Sequence, residues 1–431
     1  MEKKTEQFAW YESELVKDQI GALKGRAPMG LMGAFITGQI YYGLTALSQI
    51  NGYIETRLEK DERRILIIVD DFTKKYAPSV VKQLEQIEAE VEVWSGVIPE
   101  GPLNTIEEGA KFCENFKPTV LIAIGGGSVM DSAKAIMILY EKPGHSLFRV
   151  APFGSLGLRK KVKYLIAIPT TSGTGSEVTP TSMLTDMDRN PPKKLAVSHP
   201  ELVPDVAVLH TDFVKDMPPF LTMATGLDAL AHSLGCYVST WGSPITDALN
   251  VYAIKEVLKY LPRAYKYGAR DLEAREGMQM AALMAGLGFG NSRVGLDHAL
   301  GHSFGKVFHA HHGLSVGMFL PSTIGFQAKV SKRWKELCYL FNIEQKGKDD
   351  KVLFSEFLQS VNNFIKSIDG PTCVRDLKNP VVGDEEYLVK LDQVISYTES
   401  DIVSLLSPRH LDKAILRKIF EYAWDGKEID F

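Results

Sequence analysis

"PTVLIAIGGGSVMDSAKAI", Pro118 to Ile136, holds the junction on which the fold turns. Val120 to Ile124 form a short, unbroken apolar run that ends in three glycines, the pattern of a strand covered on both faces. A helical pattern follows at once. Bare glycine backbone lets an anion approach closely, and a helix N-terminus adds free N–H groups and the positive end of the helix dipole. Gly125, Gly126, Gly127 and Ser128 therefore read as a pyrophosphate loop. The run is not a GxGxxG, and as a bare pattern it fits a tight strand-to-helix turn equally well.

The neighbouring segments repeat the theme. "RRILIIVDD" (63–71) is a second buried strand, "SVVKQLEQIEAEVEVWSGVIP" (79–99) a helix followed by a strand, and "KYLIAIPTTSGTGSE" (163–177) a strand entering another glycine loop. Such alternation gives an α/β unit with a parallel sheet, whose ligands bind at the C-terminal ends of the strands. Thr170, Thr171 and Thr174 of the second loop offer hydroxyls to phosphate or ribose. Asp71, at the end of "ILIIVDD", reads either as a solvated strand-end acid or as an acceptor for ribose hydroxyls that repels a 2′-phosphate and so favours NAD.

After "HTDFVKDMPPF" (210–220) the texture changes. Helical periodicity dominates in "SPITDALNVYAIKEVLKYL", "REGMQMAALMAGLGFGNS", "LFSEFLQSVNNFIKSI" and "LDKAILRKIFEYAW", and β-branched runs become scarce. The boundary falls near Pro218, giving an α/β domain over 1–215, whose glycine loops suit a dinucleotide, and a helical domain over 216–431. No internal repeat stands out.

Composition narrows the functional classes. A 431-residue chain with 45% hydrophobic residues has room for two or three cores. Its net charge of −4 and lack of Lys/Arg-rich runs speak against nucleic acid as a partner. The four cysteines, Cys113, Cys236, Cys338 and Cys373, are scattered with no CxxC, which fits a reducing cytoplasm. Ala27 to Ile54 carries no charge, but its glycines and polar residues dilute it below a membrane span, so a buried strand and turn are expected there.

Five of the ten histidines crowd into "GLDHALGHSFGKVFHAHHG", residues 295–313. His298 and His302 stand at i and i+4, on one face of a helix, and Asp228 and His232 repeat that spacing in "TGLDALAHSLGCYVS", where Thr225 reads as the N-cap. One carboxylate with three imidazoles suits a divalent first-row metal and leaves positions open for water or substrate. Spacing alone does not say which of the clustered histidines bind.

Together the segments resemble the iron-containing (group III) alcohol dehydrogenase family. "GGGSVMDSAK" is similar to its GGGSxxDxAK, "PTTSGTGSE" to its PTTxGTGSE, "TGLDALAH" to its TGxDALTH, and the histidine-rich segment to its GLxHxxxHxxG…HG, in the same order over most of the chain. The resemblance implies a Rossmann-like domain followed by an all-helical one in the dehydroquinate synthase-like fold. It also implies metal-dependent hydride transfer between an alcohol or aldehyde and NAD or NADP, with Fe²⁺ or Zn²⁺. Carried over, the metal ligands are Asp228, His232, His298 and His312, and His302 is a proton-relay residue beside them. Gly126, Gly127, Ser128 and Asp131 lie at the pyrophosphate, Thr170, Thr171 and Thr174 along the cofactor, and Asp71 at the adenosine ribose. The expected partners are a small alcohol or aldehyde and further copies of the chain in a homodimer or larger homo-oligomer, with no nucleic acid and no membrane. The alternatives are a lyase or cyclase of the same fold that recycles its NAD, and a non-catalytic assembly relative.

Several positions depart from the pattern. The acidic residue of the family's HAIExY is Gly235, the residue before the first clustered histidine is Asp297, the proline of HPxG is Ser303, and that of HxPHG is His311. His210 stands where an acid is common, and "PEGPLN" replaces a PNPT-like loop.

Overall fold

The structure is a computed structural model that describes residues 9–22, 34–189 and 192–431. Its strands are β1 (Gln39–Tyr42), β2 (Arg64–Asp70), β3 (Glu90–Val97), β4 (Val120–Gly125), β5 (Tyr164–Pro169), β6 (Thr181–Asp186), β7 (Lys193–Ser198) and β8 (Val206–Leu209). The helices of the N-terminal half are α1 (Glu14–Ala22), α2 (Gln49–Glu55), α3 (Ala77–Glu85), α4 (Leu103–Phe116) and α5 (Gly127–Glu141). Those of the C-terminal half are α6 (Pro219–Val238), α7 (Pro244–Tyr267), α8 (Leu272–Gly290), α9 (Leu296–Phe308), α10 (His312–Gln327), α11 (Asp350–Ser367), α12 (Asp384–Ser400) and α13 (Lys413–Asp425).

The chain divides into two compact units. The first holds residues 9–16 together with Ile36–Thr171 and Gly175–Asp216, and the second holds 17–22, 34–35, Ser172–Thr174 and Met217–Phe431. In the first, six parallel strands run in the order β1-β8-β5-β4-β2-β3. Strand β4 is buried throughout and β2 through its five central residues, as their continuous apolar runs require. Ile65, Ile67 and Val69 pack with Val120, Ile122 and Ile124 in one core, and each such side chain contributes about 1.5–3 kcal/mol on burial. In the second unit a single core joins α6 through α13.

Three expectations change. The uncharged stretch gives the edge strand β1, with residues half-buried or exposed because four residues paired to β8 alone cannot be covered on both sides, and then most of α2, whose Ile50, Tyr53 and Ile54 are buried; its first part, 27–33, lies outside the described residues. Among the described residues no helix is long and apolar enough to cross a membrane. Thr225 is no N-cap: α6 starts two turns earlier, where Pro219 occupies the first helical position, and the Thr225 hydroxyl donates within the helix to Leu221 O. The sequence also concealed an antiparallel pair, β6 with β7, outside the main sheet.

Candidate active site

In the first unit the two glycine loops emerge side by side. Strands β4 and β5 pair in parallel register up to Gly125 and Pro169, and Thr170 N donates to Gly125 O at 3.0 Å. Gly126 is the N-cap of α5 and has no side chain to cap the first turn; Val129 N donates to Gly126 O at 3.1 Å, which leaves the start of the helix at Gly127 and Ser128 as the part open to an anion. A Cβ added to Gly126 would lie 3.3 Å from the Thr171 side chain, narrowing the space between the loops. Gly127 opens the helix, the Ser128 hydroxyl accepts from Glu100 N at 3.1 Å, and Thr171 Oγ1 is buried with no hydrogen-bond partner among the described residues. Thr174 is half-buried and belongs with the second unit.

Asp131 faces inward. Its Oδ1 accepts from Ser176 Oγ at 2.6 Å and its Oδ2 from Met183 N at 2.9 Å, so its carboxylate fastens the second loop and β6 to α5. Fully buried Lys134 completes this knot, donating at 2.8 Å to Ser176 O, Ser176 Oγ and Thr181 O. Burial pulls its ammonium down to about 8, against the opposing pull of Asp131 and Glu177, and burial lifts the Glu177 carboxyl to about 7. At the end of β2 the last strand residue is Asp70, whose Oδ1 accepts from Phe72 N, Thr73 N and Thr73 Oγ1. Asp71 lies beyond the strand, its side chain 81% exposed and paired with Lys74 at 2.9 Å.

In the second unit four ligand-type side chains converge. The Nε2 atoms of His232, His298 and His312 lie 3.7, 3.6 and 3.3 Å from a single atom, Asp228 Oδ1. Ligand atoms of Asp228, His298 and His312 all fall within 4.8 Å of one another. The helices make this geometry. Asp228 and His232 share a face of α6, His298 follows the Gly295 N-cap of α9, and His312 is the first residue of α10. A left-handed His309 closes α9, its N–H donating to Gly305 O, and His311 precedes α10 as its N-cap; the two residues turn the chain between the helices. A Cβ on Gly313 would strike Ala224 O at 2.0 Å, so only glycine lets α10 come this close to α6.

Three of the imidazoles are oriented from behind. His232 Nδ1 donates to Gly173 O at 3.2 Å, His298 Nδ1 to Asp297 Oδ2 at 2.6 Å and His302 Nδ1 to Asp401 Oδ2 at 2.9 Å. His232 also stacks on Phe289, with ring centroids 4.0 Å apart. Asp228 Oδ1 and His298 Nε2 are buried with no hydrogen-bond partner among the described residues. Orphaned polar atoms facing each other inside a core are costly, and a divalent cation among them removes the cost. Burial alone would raise the Asp228 carboxyl, but the surrounding imidazoles hold it well below the usual carboxylate range. Burial drives His232 down to about 3 despite Asp228, whereas Asp297 and Asp228 outweigh burial at His298 and raise it to about 9. His302 stands apart from the carboxylate, stacked on His312 with centroids 5.3 Å apart. His311 has a buried Nδ1 with no hydrogen-bond partner among the described residues and meets Phe220 edge-on at 5.6 Å.

The sequence matches the iron-containing alcohol dehydrogenase family over residues 37–211 and the C-terminal part of the Fe-containing alcohol dehydrogenase family over 222–424. It is 34% identical over 400 residues to an NADPH-dependent butanol dehydrogenase of Clostridium saccharobutylicum, covering 91% of this chain and 98% of that one. The chain belongs to the iron-containing alcohol dehydrogenase family. Solved relatives include an alcohol dehydrogenase from Oenococcus oeni, at 25% identity, with a TM-score of 0.82 and coverage of 91% of this chain and 100% of that one. The iron-containing alcohol dehydrogenase from Thermococcus thioreducens is 28% identical, with a TM-score of 0.80 and coverage of 91% and 99%.

As a member of this family the chain is an oxidoreductase, a metal-dependent, NAD(P)-linked alcohol dehydrogenase or aldehyde reductase, and the lyase and assembly alternatives gain no support. Within this dehydrogenase, reasoning from sequence missed the supporting groups Asp297, Asp401 and Gly173. A clue to Asp297 was present, since it departs from the family's pattern, but Asp401 is 99 residues from His302 and no spacing announces it. His210, the unusual residue near the end of the first unit, accepts from Asp212 N at 3.2 Å and caps a short turn.

Proposed function

We propose that Asp228, His232, His298 and His312 hold a divalent ion, Fe²⁺ first and Zn²⁺ as the alternative, and that this dehydrogenase interconverts small alcohols and aldehydes there. The observation that carries the reading is the convergence of three Nε2 atoms on one orphaned, buried carboxylate oxygen. Bound there, the ion supplies Lewis-acid polarisation of a substrate oxygen.

The chain's own residues do the rest. His302, held at Nδ1 by Asp401, has its Nε2 left to take the proton of a substrate hydroxyl and to return it in aldehyde reduction; a bound nicotinamide would supply the hydride acceptor or donor. Gly126, Gly127 and Ser128 bind the cofactor pyrophosphate at the α5 N-terminus. Thr170 and Thr171 line the cofactor, and Asp131 holds the end of their loop through Ser176. The first unit is thus the dinucleotide-binding part and the second the metal-binding part. The four free, buried thiols support a reducing, cytoplasmic setting, and a homo-oligomer is the proposed assembly.

For the nucleotide, adjacent Asp70 and Asp71 at the end of β2 favour NAD by repelling a 2′-phosphate. A second reading, NADPH, draws on the Lys74 ammonium that neutralises Asp71 and on the NADPH dependence of the butanol dehydrogenase. The test is oxidation of NADH and of NADPH by protein purified without oxygen and loaded with Fe²⁺ or Zn²⁺, against short, branched and aromatic aldehydes. Turnover that needs the ion and prefers NADH supports the first reading. Preference for NADPH selects the second, and no turnover with any ion refutes the substrate class.

A further inference from the structure

Two departures from the family's pattern meet at one point beside the ligand cluster. Gly235 on α6 replaces an acidic residue, and Asp297 on α9 is an unexpected one. Asp297 is 1% exposed, and its Oδ2 receives the His298 Nδ1 proton at 2.6 Å. A Cβ built on Gly235 would lie 2.2 Å from Asp297 Oδ1, 3.0 Å from its Cγ and 3.2 Å from Oδ2. No side chain at 235 fits while Asp297 is in place, and an acidic one rooted there would enter the volume that the Asp297 carboxylate fills.

We infer that Asp297 is the positioning carboxylate of His298, delivered from α9 in place of the acidic side chain that the family's pattern roots on α6, with Gly235 as the other half of the exchange. The inference rests on the ligand set proposed above. A carboxylate on the far nitrogen of a metal-binding imidazole fixes its tautomer and ring orientation and makes it a better donor. Residues at i and i+1 on a helix do not ordinarily face each other, so this contact is specific to the first turn of α9. The ion pairs of Asp228 and Asp297 among the described residues are with histidines, and two buried carboxylates match the charge of one dication. An acid in the first turn also suits the helix dipole, but that role would not be restored by a carboxylate arriving from α6.

The test is Co²⁺ affinity of the full-length apo protein, measured by competition with a chelator, with thermal unfolding of each apo variant as the folding control. Asp297→Ala should bind Co²⁺ about 10–100-fold more weakly. Asp297→Asn, which keeps an acceptor for Nδ1 but not the charge, should fall between. Gly235→Glu alone should bind more weakly than wild type because two acids compete for one space, and Gly235→Glu with Asp297→Ala should recover most of the loss. A folded double variant no tighter than Asp297→Ala overturns the inference, as does Asp297→Ala at wild-type affinity when His298→Ala has lost the metal. If Asp297→Ala does not fold, Asp297→Asn replaces it, and wild-type affinity in that protein overturns the inference. A wild-type protein that takes up no Co²⁺, or a His298→Ala protein that binds it equally well, refutes the ligand set itself.

Discussion

In the first unit the ligand surface is made of main chain: a bare helix start at Gly126, and a neighbouring loop held by the Asp131–Ser176–Lys134 knot. In the second it is made of side chains: four proposed ligands on three helices, with Gly173 behind His232, Asp297 behind His298, and Asp401 behind the neighbouring His302. Main-chain sites are insensitive to loss of a side chain and sensitive to gain of one, and side-chain sites behave in the opposite way. The contrast predicts which substitutions spare which unit.

The largest effect should come from His298→Ala, with kcat/KM falling by about 10³-fold or more as the ion is lost, because Lewis-acid assistance is worth several kcal/mol. Cofactor affinity, read by nucleotide fluorescence titration, should stay within about twofold, since His298 is not one of the proposed cofactor-binding residues. Asp401→Asn should lower kcat by about 10- to 100-fold with metal content unchanged, separating the role of His302 from that of the ligands. In the first unit, Gly126→Val should raise the cofactor KM about tenfold and leave bound metal at the wild-type level by elemental analysis, because the new side chain meets Thr171. Metal loss in that variant would break the comparison.

The smallest effect concerns the knot itself. Burial raises Glu177 to about 7 from an ordinary 4.5, so the folded state holds its proton more tightly than the unfolded chain does. The stability this adds is complete below about pH 4.5 and is lost as pH rises through 7. Urea unfolding should therefore show Glu177→Gln gaining on wild type between pH 5 and pH 8, by on the order of 1–3 kcal/mol. No change in the difference across that range would contradict the burial argument.

Much of this was legible in the chain. Val120–Ile124 ending in glycines read as a buried strand before an anion loop, because continuous apolar runs and bare glycines have few other uses. The i,i+4 spacing brought Asp228 and His232 to one face of α6, whereas His302, spaced in the same way from His298, turns to Asp401. Periodicity places a residue on a face but does not choose its partner. The start of α6 was misread because Thr225 looks like a cap locally, while the prolines ahead of it decide where the helix begins. β1 was read as buried because apolar content does not reveal which strand will lie at a sheet's edge.

The most direct measurement pairs metal content with turnover in wild type and Asp228→Ala, both purified without oxygen and loaded with Fe²⁺. The predicted result is about one ion per chain and ion-dependent aldehyde reduction in wild type, and loss of both together in the variant. An Asp228→Ala protein that keeps its full metal and its full rate would contradict the account.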